Sequence, residues 1–174
     1  AGGGRGLMLI QLALAAGAQV IAAARGAWKL DLARRLGADA AVDYSAPDWA
    51  SQARAATGGA GADVVLDGAG GAVGTAAFGV TADGGRFSAH GAAAGGFAVI
   101  DEQLAARRRV TVRGISSVQF SPADSRRLTG EALAAAADGS IRPVIGQTFP
   151  LDHARQAHAA IESRSVLGKT LLLI

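Results

Sequence analysis

The chain has 174 residues and a mass of 17.3 kDa, enough for one domain or slightly more. Half of the residues are hydrophobic and 18% are charged, with a mean hydropathy of +0.28, which supports a buried core and excludes a disordered chain. Cysteine is absent, which excludes disulfides, thiolate metal sites and cysteine nucleophiles within the chain, and the net charge of +3 is modest for a nucleic-acid binder.

Taken in chain order, short apolar runs alternate with helical stretches. Ala1-Gly2-Gly3-Gly4-Arg5-Gly6 opens the chain and leads into a helix marked by Leu7, Ile10 and Leu14. Gly17 stands where the helix should end. Gln19–Ala24 reads as a strand, followed by a helix carrying Leu32 and Leu36 that should end at Gly37. Ala40–Asp43, Ala62–Asp67, Gly85–His90 and Val110–Ser116 are further predicted strands. Pro122 to Ala137 reads as a long helix with Ser121 as its N-cap. A strand at Val144–Phe149, a helix from Leu151 to Ser163 and a strand at Lys169–Ile174 close the chain. Strands separated by helices predict an α/β fold: a Rossmann-type, doubly wound parallel sheet, here followed by a C-terminal α+β segment. The change of rhythm near Ser117 divides the chain into residues 1–117 and residues 118–174.

The opening glycines have a specific physical use. Without side chains they let a backbone come close to a pyrophosphate, while the helix behind them offers N–H donors and partial positive charge. The context strengthens the motif, because a helix, Gly17 and a second strand follow in order. A glycine turn serving only close packing is the plainer alternative. Gly68-Ala69-Gly70-Gly71-Ala72-Val73-Gly74 also follows a strand and precedes a helix, but its spacing does not fit a phosphate loop.

The strand at Gln19–Ala24 ends Ala23-Ala24-Arg25, with no carboxylate before Asp31. An acidic residue there would bond the ribose hydroxyls of NAD. Small residues followed by Arg25 and Lys29 leave room and positive charge for a 2′-phosphate, which points to NADPH. The alternative is that both are solvated charges at the start of a helix. His153 and His158 are five residues apart and make a poor metal pair; Asp101-Glu102 read as a first-turn dipole pair. Arg107-Arg108-Arg109 read as a solvated C-terminal turn rather than an RNA patch. There is no G-x-S-x-G elbow, and no lysine lies four residues after Tyr44.

Gly3-Gly4-Arg5-Gly6, Ile10-Gln11-Leu12-Ala13 and Ala16-Gly17-Ala18 resemble the GGVG…VQLA…AGA signature of medium-chain dehydrogenase/reductases, in particular the zinc-free quinone oxidoreductase branch. The likeness runs on through Leu36-Gly37-Ala38-Asp39, Val42-Asp43-Tyr44, Asp63 to Gly68, Gly84 to Phe87, His158 to Arg164 and Gly168-Lys169-Thr170. Arg5 departs from the family's usual valine. The resemblance implies an NADPH-dependent oxidoreductase acting on a quinone or an α,β-unsaturated carbonyl. The cofactor-binding residues expected are Gly3, Gly4, Arg5, Gly6, Ala24, Arg25, Lys29, Tyr44, Gly68, His90, Gly91, Ala92 and Arg164. Lys29 and Tyr44 match residues at the adenosine end, and Gly68, His90, Gly91 and Ala92 lie toward the nicotinamide. No residue is assigned a catalytic role and no metal ligand is expected.

The resemblance further implies a barrel-like catalytic domain and a first strand ahead of the glycine loop, so that residues 118–174 would join that domain. A homodimer through Val110–Ser116 is expected, with a small electrophile as substrate. Neither membrane nor nucleic acid is an expected partner, and the location expected is cytoplasmic. The alternative function is a dinucleotide- or RNA-binding protein of the same fold without turnover.

Overall fold

A computed structural model of the chain describes residues 1–117, 119–163 and 166–174. These residues form two compact units. One comprises Ala1–Ala41 and Arg126–Ile174, the other Val42–Ser125.

In the first unit, helix α1 spans Gly4–Ala15 and buries Leu7 and Ile10, residues of one helical face. It stops because Gly17 takes a φ of +76°, which lets the Gly17 amide donate to Leu14 and the Ala18 amide to Ala13. Strand β1 (Ile21–Ala24) follows, then α2 (Ala27–Arg35) and β2 (Ala40–Asp43), which pairs with β1. Leu7 and Ile10 meet Ala22, Ala33 and Ala38 in one cluster, flanked by Leu14, Val20, Leu36 and Val144. The alanines let helix and strand backbones approach closely, as expected for a core poor in aromatics. Helix α6 (Pro122–Ala137) has its start fixed by Ser121, whose hydroxyl accepts from the Asp124 amide at 3.1 Å. Strands β6 (Ile145–Pro150) and β7 (Lys169–Leu173) pair in parallel, with α7 (Ala154–Glu162) between them in sequence. Gln11 ties α1 to the segment after α6: its side chain donates to the Arg142 carbonyl at 3.0 Å and accepts from the Arg142 amide at 2.7 Å.

The second unit carries α3 (Trp49–Ala55) and a three-stranded parallel sheet in the order β3 (Ala62–Asp67), β4 (Thr81–Ala89), β5 (Thr111–Gly114). Helices α4 (Gly71–Val80) and α5 (Glu102–Arg107) are the crossovers. Both pack on the face bearing Val65, Phe87 and Ala89, where Phe78, Ala105 and Val110 complete the core. Phe78 meets Phe87 edge-on, centroids 5.6 Å apart.

The predicted α/β fold with parallel strands is what the structure contains. Strand β4 starts at Thr81, four residues before the expected Gly85, because Ala62 pairs with Thr81 across an irregularity that the left-handed Gly84 absorbs. The residues Ala82-Asp83-Gly84-Gly85 look like a turn and are instead a bulged strand. Strand β5 is shorter than expected, since Ile115–Ser117 form a 3₁₀ turn. The stretch from Leu151 begins as a 3₁₀ turn, Leu151–His153, before α7. Arg108 corrects the reading of the arginine run. It turns inward, pairing with Asp83 at 2.8 Å and donating to the Phe78 and Thr81 carbonyls, while Arg107 and Arg109 are exposed.

Candidate functional site

The glycine loop is held from behind by its own chain. The Ala1 nitrogen donates to the Ala23 carbonyl of β1. On the other side the Gly168 amide donates to the Gly2 carbonyl at 3.1 Å, and Gly3 forms a parallel bridge with Gly168. The loop therefore lies between β1 and the start of β7.

Each glycine in it meets different surroundings. A Cβ at Gly6 would stand 2.3 Å from the Ala1 carbonyl oxygen, a backbone atom that cannot step aside. Gly6 is thus required where helix and loop touch. A Cβ at Gly3 would meet nothing within 4 Å, so the exposed N-cap residue of α1 faces open space with unencumbered backbone. A Cβ at Gly2 would meet the Lys29 side chain at 2.5 Å, and one at Gly4 the Lys169 side chain at 2.7 Å.

Arg5 and Arg25 are exposed, and Ala24, at the end of β1, is buried. Lys29 lies with its stem on Gly2 and its ammonium 4.9 Å from the centre of the Trp28 ring. The end of β1 thus presents small side chains and two cations, with no carboxylate among residues 21–30.

The second unit holds the other expected residues. Tyr44 is half-buried in the turn after β2. At the carboxyl ends of β3 and β4, two loops meet backbone to backbone. The His90 amide donates to the Asp67 carbonyl at 3.0 Å, the Ala94 amide to Ala69 at 2.7 Å and the Gly71 amide to Gly96 at 2.8 Å. A Cβ at Gly91 would stand 2.0 Å from the Gly68 carbonyl oxygen. Gly68 and Ala92 are exposed beside this junction. His90 is half-buried, its Nε2 3.4 Å from where a Gly68 Cβ would be. Its Nδ1 lies 3.3 Å from the Ser88 carbonyl oxygen. Arg164 lies outside the described residues.

Three residues at these places carried no role in the sequence reading. Asp67 is only 4% exposed, and its Oδ1 accepts from the Ala69 and Gly70 amides, both at 2.9 Å, shaping the turn that begins α4. Its position at a strand end before a glycine run is the signal that could have found it. Trp28 and Lys169 are the others; Lys169 is one of only two lysines in the chain. Among the described residues no group of three or more acidic or histidine side chains could hold a metal ion.

The parallel strands with helical crossovers and the helix-opening glycine loop define a Rossmann-type α/β protein. A family profile described as zinc-binding dehydrogenase matches residues 4–134. The chain belongs to the medium-chain dehydrogenase/reductase superfamily, in its quinone-oxidoreductase-like branch. It is 32% identical to quinone oxidoreductase-like protein 2 of Bos taurus, over 99% of this chain and 50% of that protein. Among solved structures, a mycobacterial protein complexed with NADPH superposes with a TM-score of 0.90 at 30% identity, covering 99% of this chain and 54% of that one. An NAD-dependent alcohol dehydrogenase superposes with a TM-score of 0.88 at 36% identity, covering 100% of this chain and 49% of the other. The chain spans about half the length of the curated relatives it matches.

Proposed function

We propose that this chain is the NADPH-binding portion of a longer oxidoreductase that passes hydride to a quinone or an α,β-unsaturated carbonyl. In this reading residues 1–117 are the cofactor domain and residues 118–174 the segment that joins the catalytic domain. The observation that carries it is the glycine loop. Open space at Gly3, enforced closeness at Gly6, and an exposed Arg25 with a half-buried Lys29 beyond a strand without a terminal carboxylate fit a dinucleotide bearing a 2′-phosphate. The mycobacterial relative solved with NADPH supports the choice.

Gly3, Gly4 and Gly6 would hold the pyrophosphate, with Arg5 beside it. Ala24 would leave room for the ribose, Arg25 and Lys29 would grip the 2′-phosphate, Tyr44 would serve the adenosine end, and Arg164 would be a further cofactor contact. Gly68, His90, Gly91 and Ala92 would line the nicotinamide end. When bound, NADPH supplies the hydride, and the protein's part is to orient it and exclude water. A homodimer through Val110–Ser116 is part of the proposal. Among the described residues strand β5 pairs with β4 on one side only, and Val112 and Ile115 are exposed beside an open groove of about 610 Å³ lined also by Phe97 and Ile100. No described helix is long and apolar enough to cross a membrane, and a cysteine-free chain fits the reducing cytoplasm.

The test is cofactor choice. Charge-assisted bonds to a 2′-phosphate, discounted for exposure, should make NADPH bind at least ~10-fold tighter than NADH. Arg25→Ala with Lys29→Ala should remove most of that preference and leave NADH affinity nearly unchanged. Equal affinity in the parent protein, as the NAD-dependent relative would suggest, sinks the 2′-phosphate assignment. The preference should also shrink as salt rises.

A further inference from the structure

Asp67 is the last residue of β3 and is 4% exposed. Its two carboxylate oxygens have different surroundings. Oδ1 accepts from the Ala69 and Gly70 amides, both at 2.9 Å. Oδ2 is buried and has no hydrogen-bond partner among the described residues. It lies against α4, where a Cβ at Gly74 would stand 2.3 Å from it and 2.7 Å from the Ala98 methyl. We propose that Asp67 is a positioning residue for the nicotinamide end of the dinucleotide, acting through the two backbone loops it holds together rather than by touching the cofactor. The proposal rests on the dinucleotide reading above.

Both loops are tied to this one residue. The carboxylate fixes the turn Gly68–Gly71, and the Asp67 carbonyl accepts from the His90 amide at 3.0 Å. Across the junction the Ala94 amide donates to the Ala69 carbonyl and the Gly71 amide to the Gly96 carbonyl. Gly70 has a φ of +70°, and a Cβ there would stand 2.1 Å from the Gly96 oxygen and 2.5 Å from the Gly91 oxygen. Without the carboxylate the Ala69 and Gly70 amides lose this acceptor, and the turn against which residues 90–96 pack is no longer held in place. Gly68, His90, Gly91 and Ala92, assigned above to the nicotinamide end, lie on these two loops.

A buried carboxylate with an unpaired oxygen costs stability. Position offsets part of that cost. Helix α4 has no acidic residue in its first turn, and its N-cap Gly70 makes no side-chain cap, so Asp67 supplies negative charge beside the positive end of the helix dipole. An asparagine could accept from the same two amides without burying a charge, but its bonds would be neutral and weaker. The carboxylate thus favours a rigid junction over a cheaper core, the pattern of a residue that serves a site rather than the fold.

The probes are NADPH and ADP-ribose 2′-phosphate, which keeps the adenosine end and lacks the nicotinamide. Dissociation constants for both would be measured by calorimetry for the parent protein, Asp67→Ala and Asp67→Asn, together with the rise in reduced-nicotinamide fluorescence on binding. Asp67→Ala should bind NADPH about 5–10-fold more weakly, with a smaller fluorescence rise, and should bind ADP-ribose 2′-phosphate as the parent does. Asp67→Asn keeps a neutral acceptor and should be about 2–3-fold weaker for NADPH alone. It decides the matter if Asp67→Ala does not fold. Parent-like NADPH binding and fluorescence in the variants overturn the proposal. Equal weakening of both ligands makes Asp67 merely structural and also overturns it. A parent protein that binds neither ligand defeats the dinucleotide reading itself, and this inference with it. A parent that binds both equally, with no change in nicotinamide fluorescence, removes the nicotinamide assignment and Asp67's role while the adenosine end stands.

Discussion

Gly3 and Gly6 stand three residues apart in one loop, and their surroundings predict opposite phenotypes. Gly3→Val meets open space, so the melting temperature should hold while dinucleotide binding falls by more than ~10-fold, because the added bulk covers the face assigned to the pyrophosphate. Gly6→Ala forces a methyl against the Ala1 carbonyl, and urea titration should show a loss of about 1–3 kcal/mol, the usual cost of overpacking. A stable Gly6→Ala protein would mean that the loop yields, and the close-packing role would fail. Asp138 gives a titration counterpart. Its carboxylate accepts from the Ser140 hydroxyl and, at 2.8 Å, from the Ser140 amide, which hold its pKa below the ordinary aspartate value. The lowered folded-state pKa means that the turn's contribution is present above the unfolded carboxylate pKa and is lost as pH falls through the folded value. Ser140→Ala should raise the Asp138 pKa toward the ordinary value, read by NMR titration of the carboxyl carbon.

At the scale of elements, β4 and α5 are joined through one side chain. Arg108 stacks against the Phe78 ring at 5.6 Å and satisfies the Phe78 and Thr81 carbonyls, while its acidic partner Asp83 is 66% exposed. Arg108→Ala should therefore cost about 1–3 kcal/mol, the penalty for stranding polar groups, whereas Asp83→Ala should cost at most ~1 kcal/mol. Equal losses in the two would show that the ion pair, not the carbonyl contacts, carries the effect. Thr81 is fully buried, with a side-chain oxygen that has no hydrogen-bond partner among the described residues. Thr81→Val should therefore stabilise the protein, by up to ~1 kcal/mol in chemical denaturation, because an unsatisfied hydroxyl is replaced by a methyl of similar shape.

For the whole molecule the question is assembly. Among the described residues strand β5 has an unpaired edge, with Val112 38% and Ile115 51% exposed. Two copies of such an edge can pair about a two-fold axis. Light scattering of the parent protein should give the mass of a dimer, and Val112→Lys with Ile115→Asp should give a monomer that keeps its circular dichroism spectrum. A monomeric parent at micromolar concentration would remove the homodimer from the proposal.

The sequence determined much of this protein because its signals are local. Leu7, Ile10 and Leu14 repeat with the period of a helix, Gly17 and Gly37 stop helices by taking positive φ, and Ser121 caps the helix that Pro122 begins. Alternation of strands and helices sufficed for the α/β class, and the ordered glycine motifs for the family. Tertiary structure decided what depends on residues distant in sequence. Nothing local shows that Lys169 lies on Gly4 or that Arg108 points inward while its neighbours do not. Strand β4 begins at Thr81 for the same reason: Ala82-Asp83-Gly84-Gly85 prefers a turn locally, and pairing of Thr81 with Ala62 outweighs that preference. Propensity acts through a residue's own backbone, but a contact across more than a hundred residues exists only once the chain has folded.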